Sequence, residues 1–243
     1  AGQTFESSYH ALASRLAAAP AGPVLDLACG DGHLLALLAA TGRARIGVDL
    51  SAGELRAAAA RLGDGAALHQ ARAQALPLAN GAVANATCHM ALMLMAEPAQ
   101  VLAEIARVLQ PGGHLLAVVP AAPMDAAGPC PAVAAFHAAL DSQPRQIGWQ
   151  GVRFDGVRPW RDATSVANLL QPHFARWQIT RQQAEQRLTP RQAWAWFTGL
   201  YDLHLLPPEA WAPAEAAFLA HLAPRIDADG CTTLPHAYLL IDA

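Results

Sequence analysis

Residues 24–33 constrain this chain more than any other stretch. Val24-Leu25-Asp26-Leu27 is a short apolar run, and Ala28-Cys29-Gly30-Asp31-Gly32-His33 follows it without a linker. A short apolar run broken by glycine reads as a buried strand that ends in a tight turn. Glycine admits backbone conformations that a Cβ disfavours, so two of them let the chain bend sharply. Leu34, Leu35, Leu37 and Leu38 then recur at helical spacing. Strand, glycine turn and helix in immediate succession open a βαβ unit, which demands a parallel sheet.

The pattern repeats. Arg45-Ile46-Gly47-Val48-Asp49 reads as a second strand, and Ser51 with Glu54 three residues on supplies a helix-opening capping box. Residues 66–72 and 82–89 are expected to be the third and fourth strands. Pro98 suits the first turn of the next helix. Val101, Ile105, Val108 and Leu109 give that helix a core-facing stripe, and Pro111-Gly112-Gly113 is expected to stop it before a strand through Leu115–Val119. The fold class is α/β, with five strands by residue 120. Thirteen of the eighteen prolines and all six tryptophans come after residue 119, so the second half packs differently. Helices are expected over 132–140, from Asp162, from the Thr189-Pro190-Arg191-Gln192 capping box, and over 208–222. Strands are expected over 174–181 and 237–242. Trp194, Phe197, Tyr201 and His204 would share one helix face.

With 243 residues, one domain is expected. Its parts would be a lead-in helix over 1–20, a ligand-binding half over 21–120 and a second half over 121–243. Apolar residues at 53% and charged residues at 14% exclude a chain kept disordered by charge. All sixteen cations are Arg. Seven face eight carboxylates in residues 1–120, and nine face eleven in the rest, so neither half carries the basic footprint of a nucleic-acid binder. Cys29, Cys88, Cys130 and Cys231 are too scattered for a zinc site or a disulfide framework, and no metal ligand set stands out. The apolar stretch from Ala82 to Met95 is too short to span a bilayer. No signal-peptide pattern precedes the first strand, so a cytoplasmic protein without a membrane partner is expected.

The bend at Gly30–Gly32 and the acid at Asp49 carry the chemistry. A helix opening at the bend presents unpaired N–H groups to an anionic group such as an amino-acid carboxylate. Asp49 ends the neighbouring strand at the same sheet edge, where a carboxylate can accept both hydroxyls of a ribose. The run lacks the G-x-G-x-x-G pattern of nicotinamide-dinucleotide sites, because Ala28 and Cys29 stand in its place.

Four segments in order resemble the class I S-adenosylmethionine-dependent methyltransferases of the ubiquinone/menaquinone-methyltransferase-like, small-molecule type. They are Asp26-Leu-Ala-Cys-Gly30-Asp-Gly32, Gly47-Val-Asp49-Leu-Ser51, Ala73-Gln-Ala-Leu76-Pro77-Leu78, and Glu104-Ile-Ala-Arg-Val-Leu-Gln-Pro111-Gly112-Gly113. The resemblance implies a Rossmann-like fold: a mostly parallel seven-stranded sheet, helices on both faces and a helical insertion in the C-terminal half. It implies S-adenosylmethionine as cofactor and S-adenosylhomocysteine as product. Ala28, Cys29, Gly30 and Gly32 would line the methionine part, with Asp26 ordering the loop or touching the ligand. Asp49 would hold the ribose, Leu50 the adenine, and Ala73 and Gln74 would lie near the adenine. Arg72, which stands where the family usually has Asp, is likewise placed among the cofactor-binding residues.

His89 would face the methionine end, and a lead-in segment with Phe5, Tyr9 and His10 would close over the cofactor. His10 and His89 are the candidate general bases. Met93, where the family often has His, is assigned to the acceptor side, with packing as its alternative use. Trp149, Trp160, Trp194 and Tyr201 would wall a pocket for a small, aromatic or heterocyclic acceptor. The expected reaction is methyl transfer to N, O or C of that acceptor. The alternatives are an RNA or protein methyltransferase, or a non-catalytic cofactor-binding protein.

Overall fold

A computed structural model describes residues 5–121, 130–143, 160, 162–204 and 206–243. Its elements run α1 (Phe5–Ala18), β1 (Val24–Leu27), α2 (His33–Leu37), β2 (Arg45–Asp49), α3 (Ala52–Leu62), β3 (Ala67–Gln70), β4 (Val83–His89), α4 (Pro98–Val108), β5 (Leu109–Pro120), α5 (Pro131–Asp141), α6 (Ala163–Leu170), β6 (Gln178–Leu188), α7 (Pro190–Phe197), α8 (Tyr201–His204), α9 (Trp211–Leu222) and β7 (Thr232–Asp242). The sheet has seven strands in the order β3-β2-β1-β4-β5-β7-β6. Neighbours from β3 to β5 pair in parallel, and β7 pairs antiparallel to β5. This is the Rossmann-like architecture expected from the sequence.

Two compact units divide the described residues. A sheet unit takes in 5–121, 160, 162–182 and 237–243, and a helical unit takes in 130–143, 183–204 and 206–236. In the sheet unit, alternate residues feed two apolar layers. Leu25, Leu27, Ala86, Cys88, Leu115 and Ala117 face one cluster together with Val101, Ile105 and Trp160. Val24, Leu116 and Val118 face the other, with Leu12, Leu16, Leu34 and Leu38 from the α1 and α2 side. The helical unit has its own core, in which Phe136 and Phe197 stack at 4.3 Å and Trp194 lies 5.4 Å from Phe218.

Local signals explain most of the elements. Ser51 caps α3 by accepting from the Glu54 N–H, although the reciprocal half of the expected box is not seen. Thr189 and Gln192 form a complete capping box on α7. Val101, Ile105 and Val108 are buried as their spacing predicts. Other expectations are corrected. The α4 helix ends at Val108, and Pro111-Gly112-Gly113 lies within β5 rather than ahead of it. Strand β6 begins at Gln178, later than expected, because it occupies the end of the sheet order and needs few apolar side chains. The helix from Pro190 stops at Phe197, where a turn at Gly199 separates it from α8, so Trp194 and Tyr201 do not share one continuous helix.

The Glu104-x-x-Arg107 motif has a structural task. Arg107 grips the Glu104 carboxylate through two bonds, at 2.7 and 2.8 Å. It also donates to the carbonyls of Leu76 and Leu78 and to the Asn80 side chain at 3.1, 2.8 and 2.9 Å. Glu104 in turn accepts the Leu76 N–H at 2.8 Å. The pair thereby fixes the loop after β3. Replacing Arg107 by Ala strands these carbonyls and the carboxylate, and is expected to cost about 1–3 kcal/mol of stability. Urea unfolding with an unchanged slope and a lowered midpoint is the expected result, and an unshifted midpoint would contradict it.

Candidate functional site

The sheet order places β1 between β2 and β4, and the chain reverses direction across the sheet at that point. In open α/β sheets the crevice at the carboxyl ends of such strands is where ligands bind. Backbone strain marks the same edge. Ala28, just after β1, has φ +56°, and Met90, just after β4, has φ +52°. Left-handed conformations at non-glycine residues cost of order 1–3 kcal/mol and cluster at functional sites.

The bend after β1 is glycine by necessity. At Gly32, φ is +78°, and a Cβ would sit 2.8 Å from Leu62 Cδ1 and 3.2 Å from the Ala58 Cβ on α3. At Gly30, φ is +52° and a Cβ would meet only Glu54 Oε2, at 3.7 Å, so the backbone there borders open space. Asp31 braces the bend by accepting the His33 N–H at 3.2 Å and pairing with Arg61 of α3. The Gly30 N–H donates to Asp49 Oδ2 at 2.9 Å, and the Ser51 N–H donates to Asp49 Oδ1 at 2.8 Å. Each oxygen of Asp49 thus takes one backbone donor and keeps acceptor capacity for a ligand. Beside it, Leu50 is 65% exposed, one of two large apolar side chains so placed among the described residues. An acid with an exposed apolar neighbour suits a ribose with its base.

Ala73 is buried, Arg72 is exposed, and the Gln74 amide donates to the Ala96 carbonyl at 2.7 Å. Gln74 therefore ties its loop to the segment before α4, a structural use that its sequence position did not disclose. Arg72 places an exposed cation, not a carboxylate, in that segment.

At the end of β4 the structure brings Tyr9 onto His89. The rings stack with centroids 3.6 Å apart, and His33 meets Tyr9 edge-on at 4.7 Å. Ser8 Oγ lies 2.7 Å from His89 Nε2. Arg43 holds the far end of α1 through the carbonyls of Leu16 and Ala19, both at 3.0 Å. Burial, and to a lesser degree the nearby His33, pushes His89 down to about 4, so its ring is neutral near pH 7. Ser8 and His33 were missed by the sequence reasoning. His33 adjoins the glycine bend, whereas nothing local marks Ser8. His10, by contrast, is an exposed residue of α1.

Below this rim, Asp26 is 2% exposed. Thr87 Oγ1 lies 2.9 Å from Asp26 Oδ1 and 3.2 Å from the Leu25 carbonyl. Burial raises the Asp26 carboxyl to about 7, Thr87 offsets part of the rise, and Asp49 adds to it. The buried Cys29 thiol is pushed up to about 12, first by burial and then by Asp26, and burial raises Cys88 as well. Thr87 was also missed, although Asn85, Thr87 and His89 at alternate positions of an apolar strand form a legible polar stripe.

Two of the four residues expected in an aromatic wall are buried in packing cores. Trp160 is fully buried in the core of the sheet unit, and Trp194 is buried in the core of the helical unit, so each packs its own core. Met93 is likewise buried in the core of the sheet unit. Trp149 and the side chains of Phe5 and Tyr201 lie outside the described residues. No described helix is long and apolar enough to cross a membrane.

Comparisons with known proteins bear on the same residues. Residues 25–117 match a family model described as a methyltransferase domain. A ubiquinone/menaquinone biosynthesis C-methyltransferase of Syntrophotalea carbinolica is 42% identical over 106 residues, which are 42% of this chain and 45% of that protein. The chain thus spans under half the length of this curated relative. The solved structure of the YcgJ protein of Bacillus subtilis superposes with a TM-score of 0.63 at 17% identity, covering 96% of this chain and 97% of that one. Phosphoethanolamine N-methyltransferase 2 of Haemonchus contortus, solved in complex with S-adenosyl-L-methionine, superposes with a TM-score of 0.59 at 14% identity. It covers 98% of this chain and 52% of that one. At such identities the solved structures show the fold.

The low His89 value has a measurable sign. A ring whose folded pKa lies below its unfolded value of 6.5 favours the fold above that pH, and this contribution is lost as pH falls from 6.5 towards about 4. Imidazole NMR should give His89 a midpoint near 4, and His89→Gln should flatten the acid loss of stability in that window. A midpoint at 6.5 would contradict the buried, neutral ring.

Proposed function

We propose that this chain, whose residues 25–117 match a methyltransferase-domain model, is a class I methyltransferase that binds S-adenosylmethionine and methylates an N, O or C atom of a small-molecule acceptor. The observation that supports this most directly is the junction of Gly30 and Asp49 at 2.9 Å, with exposed Leu50 beside it. The residues fit the cofactor. Asp49 keeps acceptor capacity for the two ribose hydroxyls, Leu50 offers an apolar face to the adenine, and Ala73 lies on the adjoining loop. Open backbone at Gly30, with Ala28 and Cys29, suits the methionine part, whose carboxylate the N–H groups at the bend can receive.

When bound, the cofactor supplies a methyl group on a sulfonium, an electrophile with a good leaving group. The chain's own task is then to position and to exclude water. Tyr9, stacked on His89, covers the end of β4, which suits the lead-in helix to closing over the methionine end. His89 is neutral and its Nε2 is engaged with Ser8, so it suits orientation, and proton acceptance from an acidic acceptor requires Ser8 to yield. Protonated thiols matter here as well. Cys29, raised to about 12, stays a thiol and so does not compete with the acceptor for the methyl group. The small-molecule class of the acceptor is supported by the relative of Syntrophotalea carbinolica and by the even spread of charge along the chain.

Isothermal titration with S-adenosylmethionine tests the proposal. Wild type should bind at one site, and Asp49→Ala should weaken binding at least tenfold, about 1.4 kcal/mol or more, with an unchanged circular dichroism spectrum. Turnover to S-adenosylhomocysteine with a small acceptor should then be observed. No binding by the folded wild type would overturn the proposal.

A further inference from the structure

Asp26 is the only buried carboxyl among the described residues, and no described cation pairs with it. Its side-chain partner is a hydroxyl, Thr87 on β4. That hydroxyl has one proton and two acceptors within reach, Asp26 Oδ1 at 2.9 Å and the Leu25 carbonyl at 3.2 Å. If Asp26 is charged, the proton goes to the carboxylate and the Leu25 carbonyl gains nothing. If Asp26 is neutral, its O–H donates to Thr87 Oγ1 and Thr87 donates onward to Leu25, so both short contacts are satisfied at once. The surroundings also disfavour charge: the carboxyl is buried, and the nearby Asp49 carboxylate on β2 repels a second anion.

We propose that Asp26 is neutral in the ligand-free protein and ionises in the field of the cofactor's cations, giving its proton to solvent as S-adenosylmethionine binds. The inference rests on the function proposed above and adds a proton to its binding step. Asp49 at the rim already repels charge on Asp26, so a charge held at that rim is felt at the buried carboxyl. S-adenosylmethionine carries an ammonium and a sulfonium against one carboxylate. A net positive ligand beside a buried carboxyl favours the anion it approaches. In the free protein, burial holds the Asp26 carboxyl near 7, close enough to neutrality for a ligand to tip it. Affinity then falls with pH below that value, towards about tenfold per unit.

The test uses titration calorimetry of wild type with S-adenosylmethionine at pH 6.5, in phosphate and in Tris, whose ionisation heats differ. Roughly half a proton or more should leave per cofactor bound. Asp26→Asn should bind with a buffer-independent heat. A carboxyl ¹³C titration of wild type needs no variant. Asp26 should show a midpoint near 7 without ligand, moving down by at least about one unit with it. Binding without proton release, release that persists in Asp26→Asn, or a ligand-free midpoint near 4 would overturn this inference alone. Absence of binding would overturn the proposed function and this inference with it.

Discussion

One hydrogen bond organises the site: the Gly30 N–H on the Asp49 carboxylate, 2.9 Å across the ends of two neighbouring parallel strands. It exists because β1 and β2 pair in register, Leu27 beside Val48, so that the turn leaving β1 meets the last residue of β2. The bond is possible only if the chain bends at once after Leu27. That bend is bought with Ala28 and Gly30 at positive φ, and Gly32 leaves room for α3. Asp31 and Arg61 tie the bend to α3, and the Ser51 cap starts α3 beside Asp49. Candidate site, helix start and sheet register are therefore one arrangement.

Low dielectric beneath the rim sets the chemistry. The strand face that carries Asp26, Thr87 and His89 is also the face covered by Leu12 and Leu16 of α1, so polar groups there lie under an apolar lid. Burial keeps Cys29 and Cys88 as thiols and His89 uncharged, and it raises Asp26. Each shift disfavours the charged form, and none is relieved by a described cation. For Asp26, the proposed function supplies the missing countercharge from the ligand.

Much of this was legible in the sequence because it is local. The run from Val24 to His33, the acid at Asp49 and the caps at Ser51 and Thr189 are each written within ten residues, and the structure keeps them. The illegible part depends on distant pairing. Ser8 reaches His89 across 81 positions, and Thr87 reaches Asp26 across 61. Glu104 and Arg107 could be recognised as a motif, but the loop they clamp could not. Tryptophan clustering in sequence did not disclose that Trp160 and Trp194 pack in different cores. Strand β6 was displaced because an edge strand reads as polar, and α7 was overextended because a helical period ran on through Gly199.

In the proposed function, the bend and Asp49 together grip an adenosyl amino acid. A crystal structure with S-adenosylhomocysteine measures this most directly. It should show both ribose hydroxyls on the Asp49 carboxylate, the adenine against Leu50 and the amino-acid end at Gly30. Density for the nucleoside elsewhere, or an Asp49 carboxylate with no contact to the ribose, would overturn that assignment.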